Sequence, residues 1–331
     1  MDSVILRRVL SQFEADRLRD ENLLLERRRE IYDKIPEIRN IEADMRTTAA
    51  KISRAAFSDG SDPRVKLQAI KSHNDALIER RSLLLRQNGY PEDYLAIRYR
   101  CPLCSDLGYI GAQPCKCLVA AYAREQAKEL SSMLNLSEYN FDKYTDRYFS
   151  PVPDPKYRVS PADNMEMIYD RCVEFAEGFG KHHLNFLFYG ASGLGKTFLS
   201  GCIARAVGDR GFSVVYDTAI NIAASYSRVR FDHAGEEDTR RMRRAKLCDL
   251  LIIDDLGTEM ASAVVTEGIY ALINHRLTER RSTIISTNLT PEQIASRYSQ
   301  QIASRLNGEY EHMRFFGEDI RLIKKRERGA L

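Results

Sequence analysis

No stretch of this chain approaches the roughly 18 consecutive apolar residues of a membrane-crossing helix, and its longest apolar runs, such as Leu250–Ile253, have the length of buried strands. The first ten residues already carry Asp2, Arg7 and Arg8, so no secretory signal is expected. No internal repeat of 20–50 residues is visible, which excludes a solenoid or a propeller. A net charge of only +3 over 331 residues excludes a polycation. Glycine is almost missing from residues 1–99, where only Gly60 and Gly89 occur, so that zone reads as helical. What remains is ordinary for a soluble protein, expected to be cytoplasmic: 44% hydrophobic and 29% charged residues, with a length that suggests about two domains.

The glycine-poor zone is dense in Glu, Arg and Leu. Ile31, Ile35, Ile38, Met45 and Ile52 recur at three-, four- and seven-residue steps, and so do Leu67, Ile70, Leu77 and Leu84. These spacings place apolar residues on one helix face. Phe57–Pro63 reads as a turn between the seams, and Pro36 as a break or kink. The expectation is an α-helical N-terminal domain over residues 1–99, a hairpin or small bundle suited to partner docking, with spacer or oligomerisation roles as the alternative.

Four of the seven cysteines follow at Cys101, Cys104, Cys115 and Cys117. Two close pairs joined by a turn-rich segment with Gly108, Gly111 and Pro114 can make a tetrahedral thiolate cage, so residues 100–118 read as a structural Zn²⁺ element. Four protein ligands leave no open position for catalysis. Two disulfides are the alternative, opposed by a reducing compartment; a redox Cys-x-x-Cys would leave the second pair unexplained. Cys172, Cys202 and Cys248 read as buried apolar residues. Residues 119–164 read as a linker helix, starting at Leu118 and reaching Leu134, and a loop over Ser150–Asp163 that enters the next domain.

From residue 165 to 331, helix patterns alternate with short β-rich runs at Leu184–Tyr189, Ser213–Tyr216, Leu250–Asp254, Ser282–Thr287 and Met313–Phe316. This alternation predicts an α/β fold, a parallel sheet flanked by helices. Between the first run and a helix, Gly190, Ala191, Ser192, Gly193, Leu194, Gly195, Lys196 and Thr197 spell a complete G-x-x-x-x-G-K-[ST] loop. Glycines let backbone N–H groups turn inward around phosphate oxygens, and the helix N-terminus adds positive partial charge. Lys196 then reaches the terminal phosphates of ATP or ADP, and Thr197 ligates Mg²⁺. Leu250–Asp255 is an apolar run ending in two acids, which suits Asp254 as the Mg²⁺-associated carboxylate and Asp255 as the group that orients or deprotonates water. Asn288 ends the run Thr283–Asn288 and is placed as a polar sensor of the γ-phosphate.

This ordered set, with Ile302–Leu306 after it, is similar to AAA+ ATPases of the DnaC/DnaI type, the bacterial and phage helicase loaders. The resemblance covers about residues 140–331 and, less closely, the front half, since Gram-positive loaders similarly carry a helical N-terminal domain and a Cys-x-x-Cys…Cys-x-Cys element. It implies an AAA+ P-loop ATPase that delivers a hexameric replicative helicase of the DnaB type to single-stranded DNA and self-associates through its ATPase domain. It also implies Arg305 as the arginine finger, with Arg297 and Arg281 as rivals, and Arg321 as the second sensor. Many AAA+ enzymes have Glu where Asp255 stands, so the hydrolysis expected is slow and switch-like, stimulated by single-stranded DNA or a partner. In such loaders the segment matching Thr218–Arg244 lines a DNA path, which makes Tyr226, Arg228, Arg230 and Phe231 candidates for stacking and phosphate contact; helix packing and solvated arginines are the alternative. Basic clusters at Arg240–Lys246 and Arg321–Arg328 can likewise follow a phosphate backbone or simply face water. Two other functions share the core: a transposition helper ATPase of the IstB type, and a nucleotide-sensing adaptor without turnover.

Overall fold

The computed structural model describes residues 1–48, 63–131 and 138–329. The turn expected over Phe57–Pro63, up to residue 62, and the last residues of the helix expected to reach Leu134 lie outside them. Residues 10–113 form one compact unit, and residues 1–9 with 114–331 form another.

The first unit is built from α1 (Ser3–Lys34), α2 (Pro36–Arg46) and α3 (Pro63–Gln87). Pro36 sets the break between α1 and α2. Its ring drives Ile35 out of the helical region, to φ −134°, while its own fixed φ opens α2 without loss of a needed N–H. Ile52 of the first predicted seam and the side chain of Leu67 in the second lie outside what is described; in the rest the seams meet, with Ile31, Ile35 and Ile38 buried beside Ile41, Leu84, Leu85 and Leu95. Inside this unit Glu42 is 5% exposed. It accepts from the Tyr32 hydroxyl at 2.5 Å and pairs with Arg28 at 3.3 Å and Arg81 at 3.4 Å.

A short hairpin, β1 (Tyr109–Ile110) and β2 (Gln113–Pro114), precedes α4 (Lys116–Ser131). Beyond the entry segment come α5 (Pro161–Gly178), β3 (Phe186–Gly190), α6 (Lys196–Asp209), β4 (Val214–Thr218), α7 (Ala219–Arg230) and α8 (Glu236–Leu247). They are followed by β5 (Leu250–Leu256), α9 (Ala263–Thr278), β6 (Ser282–Thr287), α10 (Pro291–Arg297), α11 (Gln300–Glu309), β7 (Glu311–Phe315) and α12 (Ile320–Gly329). The stretch read as loop up to Asp163 gives way to α5 three residues early, because Ser160 caps it by accepting from the Asp163 N–H at 3.0 Å.

The five strands form one parallel sheet in the order β4-β5-β6-β3-β7. Helices cover both faces, which is why the strand runs are apolar throughout rather than alternating. On one face Phe186, Phe188, Ile252 and Ile284 pack with Phe175 of α5 and Leu199 and Ile203 of α6. On the other, Leu187, Leu251, Ile253 and Ile285 pack with Ile222 of α7, Ile269 of α9, Ile294 of α10 and Ile302 of α11. Cys172, Cys202 and Cys248 are buried, as expected. Arg276 is fully buried and satisfied: it donates to the carbonyls of Ala245, Cys248 and Ser282 and to Thr283 Oγ1, pinning the end of α8 to the sheet. No helix among the described residues is long and apolar enough to cross a membrane.

Candidate nucleotide-binding site

Ligands of open parallel sheets sit outside the carboxyl ends of the strands, and here β3, β5 and β6 deliver the predicted residues to that edge. β6 lies between the other two, so Asn288, one residue past its end, stands between the phosphate loop and the acids. Gly190 closes β3 at φ +143°, and a Cβ there would lie 2.0 Å from the Phe315 carbonyl oxygen, so no other residue fits. Gly193, at φ +79°, would drive a Cβ to 1.9 Å from the Asp319 carboxylate; its own carbonyl accepts from the Ile320 N–H at 3.0 Å. The loop is thus held against the start of α12.

Lys196 opens α6 and is 5% exposed. Its ammonium donates to the carbonyls of Gly190 and Ala191, both at 2.7 Å, and to Asn288 Oδ1 at 2.9 Å. Burial pushes its pKa down to about 8, against the pull of Asp255 and Asp254. Thr197 Oγ1 lies 3.2 Å from Asp254 Oδ2.

Consecutive strand residues point to opposite faces, which would separate two adjacent acids. β5 resolves this with a bulge. Ile253 pairs with Ile285 but Leu256 with Thr287, one extra residue on the β5 side, and Asp255 takes φ +56°. The bulge re-aims Asp255 into the same cavity as the loop. The left-handed backbone also favours Asp over Glu at this position. Burial, then the neighbouring Asp254, push the Asp255 pKa up, with Lys196 and Arg321 opposing. That is the direction a proton acceptor for water needs.

The cavity is about 730 Å³, within the range of small-molecule sites. The phosphate loop, Asp255, Asn288 and Arg321 line one part, and Tyr139, Tyr144, Tyr148, Phe149 and Phe198 another. Arg321, offered as the second sensor, reaches the cavity from α12. The Tyr144 hydroxyl is buried with no partner among the described residues, a polar atom available to a bound base or sugar. The cavity fits a nucleoside triphosphate: cationic and N–H-lined at one end, aromatic at the other.

The three arginines offered as fingers are distinguished by their partners. Arg297 is half-buried and donates to the Glu259 carbonyl. Arg281 donates to the Leu247 carbonyl and lies 3.9 Å from Asp249. Arg305, on α11, is exposed, and no partner engages it among the described residues. Of the nucleic-acid candidates, Tyr226 packs its ring over Gly268, and Arg228 is held by Asp238 at 2.6 and 2.8 Å. Arg230 reaches Glu267 only at 4.0 Å, and Phe231 is 57% exposed.

Away from this edge, the sulfur atoms of Cys101, Cys104, Cys115 and Cys117 all lie within 4.8 Å of one another. In a tetrahedral zinc thiolate cage, Zn–S bonds of about 2.3 Å put sulfurs roughly 3.8 Å apart, so the donor set fits Zn²⁺. Asp106, at φ +59°, accepts from the N–H groups of Arg100 and Cys101, and Gly108 N–H donates to Cys104 Sγ at 3.3 Å.

Sequence reasoning missed two hydroxyls on Asp254. Tyr216 of β4 donates to Asp254 Oδ2 at 2.5 Å, and Ser286 of β6 donates to Oδ1. Burial, then Asp254, push the Tyr216 phenol well above its ordinary pKa, so it remains a donor. Strand periodicity gave no signal for either, because both faces of the sheet are covered and β6 is buried at every position. The aromatic wall was missed as well, because all of its residues but Phe198 sit in the segment read as linker.

Residues 162–326 match the family described as IstB-like ATP binding protein. Over 150 residues the chain is 25% identical to the replicative helicase loader DnaC of Escherichia coli (strain K12), an alignment covering 45% of this chain and 60% of that protein. Over 112 residues it is 27% identical to the replicative helicase loader DnaI of Bacillus subtilis (strain 168), covering 34% of this chain and 35% of that one. The chain therefore spans less than two thirds of the length of either relative. Among solved structures, the crystal structure of the DnaC helicase loader aligns at TM-score 0.45 and 20% identity, covering 55% of this chain and 99% of that one.

Proposed function

We propose that this chain, a homologue of the DnaC and DnaI helicase loaders with an IstB-like ATP-binding domain, is an ATP-dependent loader that delivers a hexameric replicative helicase of the DnaB type to single-stranded DNA. The observation that carries the reading is the convergence of Lys196, Thr197, Asp254, Asp255 and Asn288 at one strand edge, beside a cavity of nucleotide size. Thr197 and Asp254 offer hard oxygen donors side by side, and no Lys or Arg pairs with Asp254 among the described residues. That donor set fits Mg²⁺. When bound, the ion supplies neutralisation of the phosphate oxygens.

The chain's own residues supply the rest. Loop N–H groups and Lys196 hold the phosphates, Asn288 fixes the attacking water, and Asp255 takes its proton. Arg321 meets the γ-phosphate within the subunit, while Arg305 projects from α11 to the nucleotide of a neighbour, which requires self-association. Hydrolysis is slow, because Asp255 is one methylene shorter than Glu. Arg230 and Phe231, at the end of α7, are the side chains placed to meet single-stranded DNA. The four cysteines hold one zinc ion, and the helical unit at residues 10–113 docks the helicase.

The test is ATP turnover with and without single-stranded DNA, together with co-purification with a hexameric replicative helicase. Turnover stimulated by DNA and a stable helicase complex are expected. Turnover without a helicase complex would favour a transposition helper, and tight ATP binding without turnover a nucleotide-sensing adaptor. The zinc claim has its own test: elemental analysis should find one zinc per chain, and Cys101→Ser should lose it and weaken helicase capture, since metal binding supplies much of the folding free energy of so small an element.

A further inference from the structure

We propose that Tyr216 is a positioning residue for the Mg²⁺ site, holding the Asp254 carboxylate in the rotamer that faces Thr197. The inference rests on the reading of Asp254 as the metal-associated acid. Asp254 is 5% exposed and its two oxygens meet three hydroxyls from three elements: Thr197 of α6, Ser286 of β6 and Tyr216 of β4. Thr197 is itself assigned to the metal, and Ser286 also accepts from the Asp255 N–H at 3.0 Å. Tyr216 has neither duty. It does not line the nucleotide cavity, and its ring is buried in the sheet core with Val214 and Ile252.

A carboxylate on two single bonds swings freely unless its oxygens are held, and a hydrogen bond to a charged group is among the stronger ones in a protein interior. β4 pairs with β5 in register at Asp217–Ile253 and Thr218–Asp254, so the phenol reaches Asp254 from a rigid neighbouring strand rather than from a loop. Outer partners that orient metal ligands change metal affinity by about 10–100-fold when removed.

The experiment is a Mg²⁺ titration of fluorescent ATP-analogue binding by the full chain, compared with binding in EDTA. Tyr216→Phe keeps every ring carbon, so the packing is retained. It should raise the Mg²⁺ concentration at half-saturation about tenfold while leaving metal-free binding unchanged. Asp254→Asn is the reference arm and should raise it further. An unchanged midpoint in Tyr216→Phe with a shifted Asp254→Asn overturns the role of Tyr216 alone. Loss of metal-free binding in Tyr216→Phe overturns it too, since the phenol would then support the fold and not the ion. An unshifted Asp254→Asn removes the reading of Asp254 beneath it.

Discussion

Glu42 in the helical unit and Asp254 in the parallel-sheet unit are buried to the same degree, each 5% exposed, and each accepts a tyrosine hydroxyl at 2.5 Å. Their other partners differ. Glu42 sits between the guanidinium groups of Arg28 and Arg81, so its charge is balanced inside the fold. Asp254 meets only hydroxyls, and no cationic side chain pairs with it among the described residues. A buried carboxylate without a cation is costly, and the deficit is met when a cation arrives from outside. The first acid holds helices together; the second, on the proposed reading, waits for an ion. Residue type and burial do not separate structure from function here, whereas the identity of the neighbours does.

The sharpest break of this contrast is at Arg305, a cation with no partner among the described residues. If it completes a neighbour's site, Arg305→Ala should lower turnover by about 10³-fold and leave ATP binding by the isolated protomer unchanged. Lys196→Ala should lose turnover by emptying its own site of its buried cation, with no loss of melting temperature. Mixed, the two variants should regain part of the activity, because one offers an intact pocket and the other the finger. Turnover measured over mixing ratios checks this, and no recovery in a mixture shown to assemble would return Arg305 to the surface.

That prediction also marks where sequence stops. The phosphate loop, the cluster of four cysteines, and the placement of Asp254 and Asn288 at the strand edge were legible because each depends on a local pattern: a glycine spacing, a pair of cysteines, a strand ending in a polar residue. Sequence offered Arg305 alongside two rivals, and the partners that set Arg297 and Arg281 apart from it, the carbonyls of Glu259 and Leu247, lie far off in the chain. The placement of Asp255 was legible but its cause was not, since the bulge that turns it toward Lys196 is a property of the β5–β6 pairing. Tyr216 stands 38 residues from Asp254, and only the neighbouring register of β4 and β5 brings them together. For Tyr226 and Arg228, the interleaved arginine and aromatic pattern was visible, while their partners Gly268 and Asp238 were not.

In the helical unit the contrast predicts a stability effect with no catalytic one. Glu42→Ala leaves Arg28 and Arg81 facing each other beside an apolar core, and breaking a buried pair costs about 3 kcal/mol or more. Thermal melting or hydrogen exchange of residues 10–113 should show that loss, with ATP affinity unchanged. A weakened nucleotide site would mean that Glu42 is not the structural counterpart of Asp254.

The smallest effect separates two adjacent residues of α3. Arg80 donates to Glu37 at 2.8 Å, a shorter contact than that of Arg81 to Glu42 at 3.4 Å. By distance alone Arg80 would matter more. Both members of its pair are about half exposed, however, at 49% and 50% of their side chains, against 23% and 6% for Arg81 and Glu42. Water screens the first pair, and holding two long side chains in place offsets what attraction remains. Arg80→Ala should therefore melt with the wild type at low and high salt alike, whereas Arg81→Ala should melt lower at both. The check is a pair of melting curves at two salt concentrations. Equal losses in the two variants would mean that the hydrogen-bond length, not the shelter of Glu42 from water, decides what a charge contributes to this unit.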